Sequence, residues 1–342
     1  MIYFEKFIGY NEMECYMIDL LKECKICPRK CGINRYNQVG FCGADDKVKI
    51  SLVSLHQWEE PCLVGIKGAG TIFFSNCNLR CCFCQNHQIS QGGYGVEITV
   101  DRLAEVFIEQ QLRGAANIDL VTPTHYVPQI ITALKIAKSK GLNIPIVYNS
   151  NGYENVETIE LLKGYIDIFL PDLKYFNDDT AIKYSSAPKY FEIASKSIAK
   201  MFELVGEVEF DSNGLMKRGI IVRHLILPNY RHESMKVVEW LYKTFGDSIY
   251  ISLMNQYTPM FNAAKYKKLN RRLTTFEYDS VVNHALELGI KNCYIQVGKT
   301  ASKEFIPNFN LDGINNQSQH DMSNDIADKA AADDYNQTWN HE

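Results

Sequence analysis

The chain has 342 residues, 46% of them hydrophobic, and 36 basic against 40 acidic side chains give it a formal charge of -4. That is enough apolar material for one large domain with appendages or for two medium ones, and it excludes a peptide-sized metal module. The near balance of charge argues against nucleic acid or an acidic membrane surface as a partner, and no run approaches eighteen apolar residues, so no membrane span is expected.

Met1 to Phe7 lacks the basic start, apolar run and small-residue cleavage site of a secretory signal, so the expected location is cytoplasmic. Ten of the eleven cysteines precede residue 85. In a reducing compartment such grouping reads as metal ligation rather than as disulfides.

In chain order, Asn11 with Glu14 three positions on predicts a capped short helix. A cysteine-rich knot follows, Cys24-x2-Cys27-x3-Cys31-x10-Cys42. Four thiolates suit structural zinc or a fully ligated auxiliary iron-sulfur cluster, and the spacing does not choose between them. Cys15, Cys62 and Cys293 read as isolated interior residues. Residues 1–64 are taken as a cysteine-rich extension that contains a strand-like 49–55, residues 65–305 as the main domain, and residues 306–342 as a polar tail. Beyond residue 310 there are seven acidic side chains against one lysine, with few apolar groups.

From Thr71 onward the periods alternate. Strands are predicted at 71–74, 118–121, 144–148, 166–170, 219–226 and 249–253, separated by amphipathic helices near 100–113, 127–140, 154–163, 188–204 and 232–245. Over 127–140, for instance, Val127, Ile130, Ile131, Leu134 and Ala137 share one face, and Gly141 ends the helix. Asn213-Gly214 between short alternating arms predicts a hairpin inserted over 207–218. A helix near 277–289 and a strand at 293–297 are expected to close one edge. Six strands joined by right-handed crossovers make an α/β open or partial barrel.

Cys77, Cys81 and Cys84 have the three-residue then two-residue spacing that can present three thiolates to one iron-sulfur cube. A fourth iron without a protein ligand could then bind a small molecule. The loop follows an apolar strand, which places it at the strand end where parallel α/β architectures carry their chemistry. Cys82 raises the count to four, so zinc, a fully ligated cluster and incidental buried cysteines remain alternatives. Adjacent Cys81 and Cys82 point in different directions in most turns, which favours Cys77, Cys81 and Cys84 acting without Cys82.

This stretch, Gly70 to Asn86 with Phe83 before the last cysteine, resembles the signature of the radical S-adenosylmethionine (SAM) superfamily, in an uncharacterised branch similar to pyruvate formate-lyase activating enzymes. The resemblance implies a partial (β/α)6 barrel, a [4Fe-4S] cluster on Cys77, Cys81 and Cys84, and reductive cleavage of SAM to a 5′-deoxyadenosyl radical. It implies that Phe83 packs near the adenine and that Thr122 and Thr124 stand where the family commonly has a carboxylate for the methionyl ammonium. Asn149 and Asn151 then match a turn that binds the ribose or methionyl carboxylate, Asp172 and Lys174 match a strand-end pair, and Arg223 matches a basic position facing the methionyl carboxylate. His56-Gln57-Trp58-Glu59-Glu60-Pro61 resembles a recurrent segment of the same branch and is expected near the substrate entrance.

The implied partners are a one-electron donor such as flavodoxin or ferredoxin and a glycyl-radical enzyme or other peptide. A small metabolite is an alternative acceptor. A nonenzymatic zinc-binding interaction protein is the competing class.

Overall fold

The computed structural model describes residues 10–296, 307–314 and 339–341 of the chain. The strands are β1 (Val48–His56), β2 (Ala69–Phe74), β3 (Val96–Ile98), β4 (Ile118–Val121), β5 (Ile146–Ser150), β6 (Ile168–Pro171), β7 (Glu209–Phe210), β8 (Met216–Leu225), β9 (Tyr250–Met254), β10 (Cys293–Gln296) and β11 (Trp339–His341). They form one sheet in the order β11-β10-β9-β8-β6-β5-β4-β2-β1-β3, with β7 attached to β8. The run from β2 to β10 is parallel throughout.

The composition of these strands explains the arrangement. All of β2 and β6 is buried, as expected of parallel strands covered on both faces. Each crossover carries a helix. In Val100–Arg113, Thr99 accepts from Arg102 N at the start, Gly114 at φ 88° ends the helix, and Leu103, Ala104, Val106 and Phe107 are buried. Burying side chains of the larger kinds stabilises by about 1.5–3 kcal/mol each, which fixes the helix to the sheet. Val127–Ser139, Tyr190–Val205, Arg231–Phe245 and Thr275–Glu287 are placed in the same way.

The expected six strands are present, and β10 continues them as a seventh, with Cys293 beside Ile251 of β9. The inserted hairpin is β7 with the start of β8, where Gly214 takes φ 78°. The first helix runs Tyr10–Lys22, so Asn11 lies within it rather than capping it.

Two segments outside the predicted main domain pack with it, one as a strand of the sheet and one alongside that strand. β1 is antiparallel to β2. After β1 the short helix Pro61–Val64 buries Cys62 and Leu63 against Val147, Ile168, Leu170, Ile221 and Tyr294, closing the interior of the sheet from one end. Within the stretch read as a polar tail, residues 307–314 follow β1: Val53 N donates to Asp312 O at 3.0 Å, and the Phe309 ring meets Phe73 edge-on at 5.5 Å. The apolar Phe309 and Ile314, both buried, account for that docking. Trp339–His341 pairs with β10, and residues 315–338 lie outside the described residues. Among the described residues no helix is long and apolar enough to cross a membrane.

Candidate active site

A cavity of about 260 Å³ lies on the inner face of the sheet, with Phe73 of β2, Val121 of β4, Asn149 of β5, Arg223 of β8 and Met254 of β9 in its walls. Strands so far apart in the sheet order can border one cavity only if the sheet curves around it. One end is the cysteine loop after β2, where Cys77, Cys81 and Cys84 all face the space.

The three thiols are held individually. Asn151 Nδ2 and Leu79 N lie 3.4 Å from Cys77 Sγ, the Ser185 hydroxyl donates to Cys81 Sγ at 3.0 Å, and Ser90 Oγ is 3.2 Å from Cys84 Sγ. Burial, followed by the charge of Cys81, pushes Cys77 up to about 12 and Cys84 up to about 11. Three thiols that repel one another's ionisation in a dry setting suit a positively charged metal group, whose binding displaces their protons.

Cys82 does not line the cavity. It is buried, its carbonyl accepts from Asn262 N at 2.8 Å, and its amide donates to Tyr184 O at 2.7 Å.

The expected cofactor contacts divide into two groups. Phe83, Thr122, Asn149, Asn151, Asp172, Lys174 and Arg223 line the cavity, whereas Thr124 does not. Phe83 packs against Tyr257, with ring centroids 5.7 Å apart. Thr122 takes φ 61°, an uncommon conformation for a β-branched residue, and its amide donates to Asn149 O at 2.8 Å. Thr124 is fully buried and donates to Glu154 Oε1 at 2.6 Å. Its hydroxyl serves a carboxyl behind the loop. Burial pushes that carboxyl up to about 8, despite the hydrogen bonds from Thr124, Ser150 and Tyr148.

Asn151 also donates to Asn78 Oδ1 at 2.7 Å, tying the turn after β5 to the cysteine loop. At Gly152, φ is 76° and a Cβ would fall 2.1 Å from Asp172 O, so only glycine lets this turn lie against the end of β6. Lys174 Nζ bonds Asp172 Oδ2 at 2.5 Å. Burial opposes the ammonium charge, but Asp172 and Cys81 outweigh burial and raise its pKa, so Lys174 brings a fixed positive charge beside the cysteines.

The far end of the cavity was less legible from the sequence. Arg223 Nε donates to Glu60 Oε1 at 2.8 Å and Nη2 to Glu60 Oε2 at 2.6 Å, while Nη2 also bonds Glu59. The guanidinium is therefore already engaged by two glutamates. Its partners come from the His56 to Pro61 segment, more than 160 residues earlier in the chain, so only the tertiary fold brings them together.

The N-terminal cysteines gather next to the cysteine loop. A Cβ on Gly40 would lie 3.4 Å from Cys42 Sγ and 3.7 Å from Cys31 Sγ, and Cys27 senses the charges of both Cys42 and Cys24. Cys77 N approaches Cys42 O at 3.5 Å, and Arg29 Nε donates to Asn78 O at 2.8 Å, so the two cysteine sets share a boundary. Among the described residues no three His, Cys, Asp or Glu side chains close to the spacing of a single ion. Sulfurs around one zinc stand about 4 Å apart, whereas an iron-sulfur cube separates its thiolates further.

The model of the radical SAM superfamily matches residues 71–240, which begin in β2 and span the cysteine loop and most of the parallel strands. The chain belongs to the radical SAM superfamily. That family implies enzyme catalysis by radical chemistry with a [4Fe-4S] cluster and SAM.

An uncharacterized protein of Methanocaldococcus jannaschii, MJ0674, is 32% identical over 286 residues, covering 80% of this chain and 76% of that one. The pyruvate formate-lyase-activating enzyme of Clostridium pasteurianum is 27% identical over 228 residues, covering 63% of this radical SAM chain and 86% of that enzyme. Among solved structures, native anSMEcpe with bound AdoMet aligns with a TM-score of 0.45 at 14% identity, covering 62% of this chain and 57% of that one. Streptococcus suis SuiB bound to SAM aligns with a TM-score of 0.43 at 12% identity, covering 64% and 47%. The chain thus spans about half the length of these solved structures.

Proposed function

We propose that this radical SAM chain holds its cluster on Cys77, Cys81 and Cys84 and binds SAM in the adjoining cavity. The observation that carries the reading is the convergence of these three thiols, and not Cys82, on one end of a cavity walled by Asn149, Asn151, Asp172 and Lys174. When bound, a [4Fe-4S] cluster with SAM supplies one-electron cleavage of the sulfonium and a 5′-deoxyadenosyl radical.

The chain's own residues bind and orient. The carboxamides of Asn149 and Asn151 offer donors and acceptors to the ribose and methionyl groups, Thr122 offers a hydroxyl at the same rim, and Phe83 offers an apolar face for the adenine. Lys174, held by Asp172, places positive charge where a carboxylate would sit. Arg223 faces the same space from its pair of glutamates.

In this reading the radical acceptor is a glycine of a partner protein, as the similarity to an activating enzyme suggests. Another peptide or a small metabolite is the second reading. The electron comes from a flavodoxin- or ferredoxin-like donor in the cytoplasm. Cys24, Cys27, Cys31 and Cys42 hold a second metal centre, zinc or an auxiliary iron-sulfur cluster, against the cysteine loop.

The test is anaerobic reconstitution with iron and sulfide counting, electron paramagnetic resonance and assay of 5′-deoxyadenosine. Alanine at Cys77, Cys81 or Cys84 is expected to abolish cleavage and to remove about four irons per chain. Cys82→Ala is expected to keep the cluster. A reduced, folded wild-type protein that binds no SAM would overturn the reading, and metal analysis of a Cys24/Cys27 double variant identifies the second centre.

A further inference from the structure

The cysteine set before β1 is packed with positive charge that no neighbouring carboxylate balances. Arg35 is fully buried. Its Nη1 donates to His125 O at 2.5 Å and its Nη2 to Asp45 O, both backbone carbonyls, while its Nε is buried without a hydrogen-bond partner among the described residues. The Asp45 carboxylate is turned to Lys47 N at 3.0 Å. The guanidinium of Arg223, also enclosed, has two glutamates. Arg35 has no carboxylate within ion-pair reach among the described residues.

Arg29 repeats the pattern. Its Nε donates to Asn78 O at 2.8 Å, its Nη2 is buried and unpartnered among the described residues, and its Cζ lies 3.9 Å from the Phe41 ring centroid. Burying a cation without an anion is costly, so both arginines point to a negative group within the cysteine set.

The thiols are placed to supply it. Ala44 N donates to Cys42 Sγ at 3.5 Å and Phe41 N to Cys31 Sγ at 3.4 Å, and the Arg29 amide faces the Cys27 sulfur. Hydrogen bonds from backbone amides favour the thiolate form. The backbone holds Arg35 against the same set: Arg35 N donates to Leu21 O at 2.8 Å, Cys24 N to Ile33 O at 2.8 Å and Asp46 N to Arg35 O at 3.1 Å. Burial raises the Cys42 thiol, and the charge of Arg35 is the largest influence opposing it.

Four thiolates around one zinc ion, or around a four-iron cluster core with two positive charges, leave two negative charges. Two guanidiniums balance them. Three thiolates and a neutral fourth thiol would leave one guanidinium uncompensated.

We propose that Cys24, Cys27, Cys31 and Cys42 all ligate, as thiolates, a metal centre with two net negative charges, and that Arg35 and Arg29 are its counter-ions. The inference rests on the reading of these cysteines as a second metal centre. It makes that centre coordinatively closed, with no position for SAM or substrate, and gives both arginines a part in holding the metal.

The test uses the full-length protein, purified and reconstituted without oxygen. Metal present in the wild type and lost in a Cys24→Ala, Cys27→Ala double variant is counted, about one zinc or about four irons per chain, which names the centre. Retention of that metal is followed against rising chelator, and urea midpoints are taken for loaded and metal-free chains. Arg35→Met is expected to release the metal at a chelator concentration lower by about tenfold or more, and Arg35→Lys, which keeps the charge, to restore most of the retention. Arg35→Met should also cost more stability in the loaded chain than in the metal-free one, whereas a side chain needed for packing alone would cost both equally. Arg29 is half-buried, so Arg29→Met, with the same expected loss of retention, keeps the test open if Arg35→Met fails to fold.

Unchanged retention in Arg35→Met would overturn the proposal, as would equal losses of stability with and without metal. Metal held by Cys31→Ala as tightly as by the wild type would also overturn it, since Cys31 would then be no ligand. A wild-type chain that loses no metal in the double cysteine variant defeats the reading of a second centre, whereas one that holds the metal and is indifferent to Arg35 defeats this inference alone.

Discussion

Replacing Gly152 by alanine tests whether the turn after β5 depends on close backbone approach. The φ of 76° alone costs an L-residue about 1–2 kcal/mol. The new Cβ would also fall 2.1 Å from Asp172 O and 3.4 Å from Tyr190 Oη. Neither neighbour is free to withdraw: Asp172 N donates to Ser150 O at 2.9 Å, and the Tyr190 hydroxyl lies 2.8 Å from Asn151 O and 3.0 Å from Asp172 O.

Overpacking of this kind adds about 1–3 kcal/mol, so Gly152→Ala should cost about 2–5 kcal/mol. Gly141, at φ 99° and with open space for 4 Å around the place a Cβ would take, is the internal control. Gly141→Ala should show the conformational cost alone, about 1–2 kcal/mol. Urea unfolding of the reduced, metal-free proteins measures both, and SAM binding to the reconstituted proteins shows whether Asn151 and Asp172 have been displaced. Equal midpoint shifts for the two variants would refute the argument that contact with Asp172 decides the turn.

Glu154 predicts a pH dependence. Its folded pKa of about 8 lies above the ordinary value of 4.5, so the stability it permits is fully present below about pH 4.5 and is lost as pH rises toward 8. Glu154→Gln should therefore gain on the wild type between pH 5 and 8, by at most about 1.4 kcal/mol per unit, in urea midpoints taken across that range; a constant difference would contradict the assignment. Arg223→Met leaves two buried glutamates without their cation and should cost about 3–5 kcal/mol, and a melting temperature within a degree of wild type would show that the pair is not buried in solution. Ser185→Ala removes a donor from Cys81 Sγ and should lower the cluster midpoint potential by an amount on the order of tens of mV, read by redox titration followed by paramagnetic resonance. An unchanged potential would mean that the hydroxyl does not reach the sulfur once iron is bound.

The legible parts of the chain were those governed by local rules. Thr99, Leu103, Val106, Phe107 and Gly114 specify one helix by cap, period and stop, and Ile168 to Leu170 specify a strand by an unbroken apolar run. The expected cavity residues Thr122, Asn149, Asn151, Asp172 and Lys174 stand at strand ends, where a parallel sheet presents them together. Thr124 shares that strand end but follows a turn at Pro123 that points it toward Glu154. Ser185 and Ser90 carried no signal, because a lone serine has no spacing to betray which sulfur it will meet.

Local sequence was enough for the main alternation of strands and helices, the cysteine spacing and the resemblance that spacing carries, since each depends on neighbours within a few residues; β3 and the helix Asp178–Ser185 were not read from it. Long-range contacts alone decided that β1 joins the sheet, that residues 307–314 run along it and that Cys82 does not line the cavity. They also decided that Glu59, Glu60, Asp119 and Arg223 meet. Those pairings join residues tens to hundreds of positions apart, and the curvature of the sheet creates the low-dielectric space that makes their charges matter.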